Sequence, residues 1–464
     1  MPRPADRSRR PVRRGDELEL DILALGDGPD GLGRIGDYVV FVPGTLPGEQ
    51  VLVHITSVTR KFARGEVLSR FTTADDRTVP LCRHYLVCGG CHRQHQYYPA
   101  QLEDKRARLQ RAVDLALGAA APAAAATIAA KPSHGQRHKV ALHLRNSVRG
   151  GVEPCLHRVR SADLVRIEEC PTSDPLAFDL AMRAVELLRE LDHGAWDPDF
   201  APHDLLRSVL VRATTAGDAH LIVVAREPFV PGLERILGAL HDAGATTIGV
   251  NHNRGEFSQL TGPRTVIVSG PQRIEEQLDG VTYCLSPDAF FQTSPQAASA
   301  LVRGVVDWLD PGPRDVVADL YCGVGLFTLP LARLARRAFG IESATAAVDD
   351  ADAAAYANGL DNVTFHAGAV ERVLARCGRE LPRPDLVVAD PPRTGLEPGV
   401  VEQLAALRPR RIAYVSCDVR ALQRDLAAFA TAGYRAAAAV AVDMFPHTSH
   451  LEALVCLERR AIDG

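Results

Sequence analysis

The chain contains no apolar run near the ~18 residues that a membrane-spanning helix needs. This excludes a helical membrane protein. No apolar segment follows the basic N-terminus either, so a secretory leader is not expected and the protein is expected in the cytoplasm. Without a leader, the ten cysteines face a reducing compartment. A disulfide framework is then disfavoured, and metal or catalytic roles gain weight. A net charge of only −4 over 464 residues gives no global sign of nucleic-acid binding. Lysine is scarce, the basic residues being overwhelmingly arginine, and alanine is abundant; this is a signature of genomic base composition, not of function. With 46% hydrophobic and 24% charged residues, the chain is that of a globular protein long enough for two or three domains.

The charge is uneven. Arg3, Arg7, Arg9, Arg10, Arg13 and Arg14 stand against Asp6 alone, an arm suited to phosphates or simply a solvated tail. Residues 15–71 then read as a small β module. Leu18, Leu20 and Ile22 alternate with charged residues, and runs at 39–42, 50–53 and 65–68 make further strands between Gly/Pro turns. Their spacing suggests an OB-like β-barrel, nucleic-acid binding or purely structural. Residues 80–285 read as an α+β domain. It holds a cysteine cluster, a helix from about Pro99, an Ala-rich stretch at 117–130 that predicts a poorly ordered helix end or linker, strands at 140–144, 208–212 and 220–224, and helices at 175–192 and 231–243. From 286 to 464 strands and helices alternate: strands at 315–319, 337–342, 362–366, 385–390, 411–416 and 452–458, with helices between them. Six such units predict a doubly wound, Rossmann-like α/β domain on a parallel sheet.

Residues 315–328 organise that last domain. Val316-Val317-Ala318 reaches Asp319, then Gly323 and Gly325, and a helical pattern opens at Phe327. Strand, glycine turn and helix form a nucleotide-binding unit. A dinucleotide site wants a third glycine where Thr328 stands, which disfavours NAD or FAD. S-adenosylmethionine sites use an acid at the strand end, two spaced glycines, and a carboxylate at the end of the next strand for the ribose diol; Glu342 lies there. Two further strands end in the same crevice: one at Asp390-Pro391-Pro392-Arg393, the other at Cys417, a candidate nucleophile. Cys82, Cys88 and Cys91 share one loop, with Cys170 available as a fourth thiol. The donor set suits iron–sulfur or zinc, the latter with His92 and His95 as further ligands. Cys88-Gly89-Gly90-Cys91-His92 also matches a c-type haem attachment pattern, which requires export.

Taken together these motifs resemble the S-adenosylmethionine-dependent RNA (uracil-5-)-methyltransferases, over nearly the whole chain. The likeness rests on Cys82-x5-Cys88-x2-Cys91 with Cys170, Phe290-Phe291-Gln292, Asp319 to Gly325, Gly340-Ile341-Glu342, Asp390 to Arg393, Tyr414-Val415-Ser416-Cys417, and Asp443 to Glu452. It is strongest to the 23S ribosomal RNA branch, which has a TRAM barrel and an iron–sulfur cluster. The resemblance implies a [4Fe-4S] cluster on Cys82, Cys88, Cys91 and Cys170, with zinc as the alternative. It implies a cofactor and base pocket lined by Gln292, Tyr321, Glu342 and Asp390, Cys417 as nucleophile and Glu452 as base. As partner it implies RNA, 23S ribosomal RNA before or during ribosome assembly; no membrane partner and a monomer are expected. Leu326 and Ala369 replace polar cofactor contacts of some relatives, Asp418-Val419 replaces Asn-Pro, and Gly135 to Lys139 replaces Tyr-Arg-Asn-Lys.

The residue types suit the chemistry. C5 of uracil is a poor nucleophile until a thiolate adds at C6; it can then take a methyl group, and a base must remove the C5 proton before the thiol leaves. The strand–helix junction at Cys417 predicts a lowered thiol pKa. Asp390 or Gln292 is positioned to hydrogen-bond the uracil edge. Three other functions fit parts of the pattern: a tRNA uracil-5 methyltransferase; a cytosine-5 RNA methyltransferase pairing Cys322 with Cys417, against which the Glu452 motif argues; and a non-catalytic RNA-binding protein with a redox-sensing cluster.

Overall fold

The computed structural model describes residues 11–255 and 260–460. Arg3, Asp6, Arg7, Arg9 and Arg10 of the N-terminal arm lie outside them. The chain forms two compact units. The first runs to Gln101 and adds His157–Val165 and His447–His450; the second holds Leu102–Leu156, Arg166–Pro446 and the segment from Leu451.

In the first unit, the strands Glu17–Leu25, Asp30–Ile35, Tyr38–Pro43, Phe62–Arg70 and Gln50–Val58 close, in that spatial order, into a barrel. The alternation seen in the sequence is the reason: Leu20, Ile22, Val40, Val42, Val51, Val53 and Ile55 fill the interior, and closure leaves no open edge. The strand Asp30–Ile35, with two glycines and few branched residues, carries no strand signal of its own.

The second unit contains two mixed sheets. The first includes, in spatial order, Thr265–Ser269, Thr247–His252, Ala219–Ala225, Leu206–Ala213, Lys139–Asn146 and Val152–His157. Helix Pro175–Leu188 packs on it through Leu180, Ala181, Ala184, Val185 and Leu188. Proline at the first helical position and the Asp174 side chain, which accepts from the Ala177 amide at 2.9 Å, fix where that helix starts.

The other sheet has the spatial order Val363–Ala367, Arg337–Glu342, Val316–Leu320, Leu386–Ala389, Arg411–Ser416, Glu452–Arg459, Tyr434–Val442. The first five strands are parallel, and all but the half-exposed edge strand Val363–Ala367 are largely apolar and buried, as expected of strands covered on both faces. The expectation of a wholly parallel sheet is corrected at its end: Glu452–Arg459 runs antiparallel to both neighbours. The connection from Tyr434–Val442 to it has no helix to carry a crossover, so the chain turns straight back. The Ala-rich stretch is corrected as well. Ala125 and Ile128 donate backbone hydrogen bonds of 2.8 Å to Ala439 and Ala441, so the segment lies extended along the outer strand and covers its edge. The helix expected from Phe327 toward the strand at 337–342 is only Thr328–Ala332.

Candidate active site

The reversal of the last strand decides which side chains meet. A parallel strand in that place would put its N-terminus at the far edge of the sheet. Run antiparallel, with Ala453 opposite Ser416, it brings Glu452 to the edge where the parallel strands end. Cys417 follows Ser416 at that edge. Asp390 follows Ala389, which pairs with Leu320 and Tyr414. The two carboxylates and the thiol lie close enough to shift one another's ionisation.

Glu452 is 4% exposed, and burial and then Asp390 hold its pKa well above the ordinary carboxylate value, while Arg393 opposes this. Asp390, half-open to the crevice, is raised by burial to about 7. The pair therefore retains a proton at neutral pH. Burial first, then Glu452 and Asp390, push the Cys417 thiol up to about 11, with Arg393 acting in the other direction. The expected lowering is thus corrected, and the cause is local. Asp418 caps the helix Val419–Thr431 by accepting from the Arg420 and Ala421 amides, both at 2.9 Å. The donors that would have favoured a thiolate are satisfied by a carboxylate.

At the glycine turn, Asp319 is fully buried and accepts a hydrogen bond from Thr328 Oγ1 at 2.6 Å. Burial, then Asp390 and Glu342, raise its pKa to about 8 against the opposing hydrogen bond from Thr328, and its Oδ1 has no hydrogen-bond partner. Thr328, seen in the sequence only as a missing glycine, is the residue that holds the acid. Glu342 accepts from the Gly323 amide at 3.1 Å, and from Ser343 Oγ and the Ala344 amide at 3.0 and 2.8 Å. Gly323 has φ +54° and open space where a Cβ would stand. Orphaned carboxylate oxygen, open glycine and fixed carboxylate fit a small polar ligand carrying hydroxyl and amino groups. Tyr321 (φ +65°) packs against the apolar layer with its hydroxyl buried near Glu397. Gln292 is half-buried on a loop pinned by His138 N–H to Thr293 O, 2.8 Å, and by Ser294 Oγ to Gln136 Oε1, 2.7 Å. Cys322 is buried against Gly340, where a Cβ would come within 2.6 Å of its sulfur. It has a packing role, which removes the paired-cysteine arrangement of a cytosine enzyme.

Residues 271–460 match the tRNA (uracil-5-)-methyltransferase family model, and residues 11–68 match the TRAM domain. An uncharacterised RNA methyltransferase of Enterococcus faecalis is 33% identical over 458 residues, covering 97% of this chain and 99% of that one. The chain belongs to the RNA (uracil-5-)-methyltransferase family. A Nostoc relative, again an uncharacterised RNA methyltransferase, is 33% identical over 94% of this chain and 95% of its own. A tRNA (uracil-54, C5)-methyltransferase of Pyrococcus abyssi, solved with S-adenosyl-L-homocysteine, superposes with a TM-score of 0.74 at 26% identity, covering 95% of this chain and all of that one.

Two features of this uracil-5 methyltransferase escaped the sequence motifs. Arg393 was visible only as the tail of Asp390-Pro391-Pro392-Arg393, yet it is the cation that opposes the shifts of both Cys417 and Glu452. Lys105 makes a buried ion pair with Asp443, and also donates to Phe445 O at 3.1 Å, which ties the helix Tyr98–Leu117 to the segment leading toward Glu452. In the cysteine loop, the Gly90 amide donates to Cys88 Sγ at 3.3 Å; elsewhere Ser173 Oγ donates to Cys170 Sγ at 3.2 Å. Such donors stabilise thiolate sulfur, and the donor set suits iron. Among the described residues, however, no three Cys, His, Asp or Glu side chains form a metal-holding group.

Proposed function

We propose that this enzyme transfers a methyl group from S-adenosylmethionine to C5 of a uridine in RNA. The observation that carries the proposal is the placing of Glu452 beside Cys417 by the antiparallel last strand. When bound, the donor presents an electrophilic methyl group; the glycine turn, Asp319 and Glu342 would hold it, with Gln292 and Asp390 toward the base. Cys417 begins as a thiol. Asp390, titrating near 7 beside it, accepts the thiol proton. The sulfur then bonds to C6 of the uracil, and the electron pair released to C5 takes the methyl group as the S–CH3 bond breaks and S-adenosylhomocysteine departs. Glu452, kept protonated in the free protein, must first give its proton to solvent, and Arg393 favours the ionised form. It then removes the C5 proton, the C5–C6 double bond re-forms, and Cys417 leaves. Extruding the target base costs a few kcal/mol, which the TRAM barrel and basic arm offset through RNA contacts.

For the RNA itself we propose 23S ribosomal RNA, on the strength of the barrel and the cysteine pattern. The likeness to the P. abyssi enzyme favours a second reading, a tRNA uridine. We also propose the three-part division 15–71, 80–285 and 286–464, and an iron–sulfur cluster on Cys82, Cys88, Cys91 and Cys170, supported by their spacing and by the hydrogen bonds to sulfur. Iron with broad visible absorbance in an anaerobic preparation is the expected result; colourless protein with stoichiometric zinc would refute it. Cys417→Ala should abolish methyl transfer from labelled donor while RNA binding persists, and full activity in that variant would sink the mechanism. The 5-methyluridine missing from cells that lack the protein identifies the RNA.

A further inference from the structure

A row of basic side chains crosses three strands and has no part in the chemistry above. In the antiparallel register Lys139 faces Arg212, and Arg212 faces His220. Opposed residues point to one face of a sheet, so the three stand side by side. Lysine occurs at only four positions in this arginine-rich chain: Lys61, Lys105, Lys131 and Lys139. Lys61 and Lys131 are exposed, and Lys105 has Asp443. Lys139 is half-buried, and among the described residues it makes no ion pair. Burial and then Arg212 lower its pKa to about 8, against Asp288. Asp288 is already engaged, accepting from the Thr265 amide and hydroxyl at 2.9 and 2.5 Å.

Arg212 is 7% exposed. Its Nη2 donates to Ala289 O at 2.6 Å, while its buried Nη1 has no hydrogen-bond partner. The acids whose charge reaches it are engaged as well: Asp350 holds Arg273 and Ser286, and Glu276 holds Thr215. Thr293 Oγ1 is also buried without a partner, and the bond from the His138 amide to Thr293 O places it beside the start of the Lys139 strand. His220, pushed down to about 3 by burial and then Arg212, is neutral, so the row carries two positive charges. Two cations and two orphaned polar groups in a desolvated place cost free energy that one oxyanion would offset. A phosphodiester fits: one negative charge, and two free oxygens for a point charge and a guanidinium.

We propose that Lys139, Arg212 and Thr293 bind a backbone phosphate of the RNA, next to the nucleotide offered to the Gln292 loop. This rests on the function proposed above. The test uses the full chain and an RNA transcript that the wild type binds, with affinity measured by filter binding from low to high KCl and with KM measured for RNA and donor separately. In Lys139→Met the slope of log affinity against log salt should flatten by about one. The RNA KM should rise roughly tenfold, the size of one lost charged hydrogen bond, with the donor KM unmoved, and Lys139→Arg should restore the slope. Thr293→Val, a milder change, should weaken RNA binding roughly threefold and carries the test if Lys139→Met does not fold. An unchanged slope and RNA KM would overturn the site, as would an equal rise in donor KM, which would mark a prop for the loop. A wild type that transfers no methyl group, while the slope still flattens in Lys139→Met, would instead refute the methyltransferase reading and leave the phosphate site standing.

Discussion

Asp390→Asn should make Cys417 more reactive while impairing the enzyme. Asp390 raises the pKa of both the thiol and Glu452, so removing its charge must lower both. At an effective dielectric near 20, a unit charge ~6 Å away contributes about 3 kcal/mol, or about two pKa units. Asp390 titrates at about 7 and is about nine-tenths ionised at pH 8; because Asp390 and Cys417 are both half-exposed, solvent screening roughly halves its effect, and the expected fall for Cys417 is about one unit. From a starting value of about 11, the thiolate fraction at pH 8 rises from roughly one in a thousand to roughly one in a hundred. Iodoacetamide alkylation of the Cys417 peptide, followed by mass spectrometry at pH 8, should then run about tenfold faster in the variant. The pH midpoint of that reaction should fall by about the same unit. An unchanged or slower alkylation rate would refute the electrostatic coupling of the three groups.

Three further outcomes are expected. Lys105→Met removes the cation paired with buried Asp443 and should cost about 3–5 kcal/mol in urea unfolding, whereas Lys105→Met with Asp443→Leu should recover most of it; equal losses in the two would contradict the buried pair. Asp319 has a folded pKa raised to about 8, so its ionisation costs nothing below about pH 4, costs progressively more as pH rises toward 8, and is constant above. Asp319→Asn should therefore match the wild type in unfolding free energy near pH 4 and exceed it by a few kcal/mol, roughly, at pH 8.5; a pH-independent difference would refute the buried acid. Glu452→Gln, lacking the base, should release methylated RNA at least about a hundredfold more slowly while its adduct with RNA accumulates; normal turnover would remove Glu452 from the elimination step.

Much of the α/β domain was legible because its strands are continuous apolar runs ending in Asp319, Glu342, Asp390 and Cys417, and because amphipathic helices separate them. What escaped has physical causes. The strand Tyr434–Val442 carries Ala436 to Ala439 where branched residues would signal a strand, and packing against its neighbour makes it one. Apolar periodicity carries no strand direction, so the reversal that delivers Glu452 to Cys417 could not be read from it. Pro330 sits inside the short helix at Thr328–Ala332, where a longer one was expected. The Cys417 environment was misjudged because a helix terminus attracts anions only while its amides are open, and Asp418 had closed them. Desolvation, which raised the pKa of Asp319, Asp390, Cys417 and Glu452, depends on the whole fold and leaves no local trace in sequence.

The most direct test replaces the target uridine with 5-fluorouridine, whose C5 carries a fluorine that no base can remove as a proton. With wild-type enzyme and S-adenosylmethionine, the Cys417–C6 bond should form, the methyl group should transfer, and the chain should stop there. A methyl-labelled protein–RNA species should then survive denaturing electrophoresis, in stoichiometric yield and absent from Cys417→Ala. Its absence from the wild type on an RNA whose uridine form is methylated, or its persistence in Cys417→Ala, would contradict Cys417 as the nucleophile.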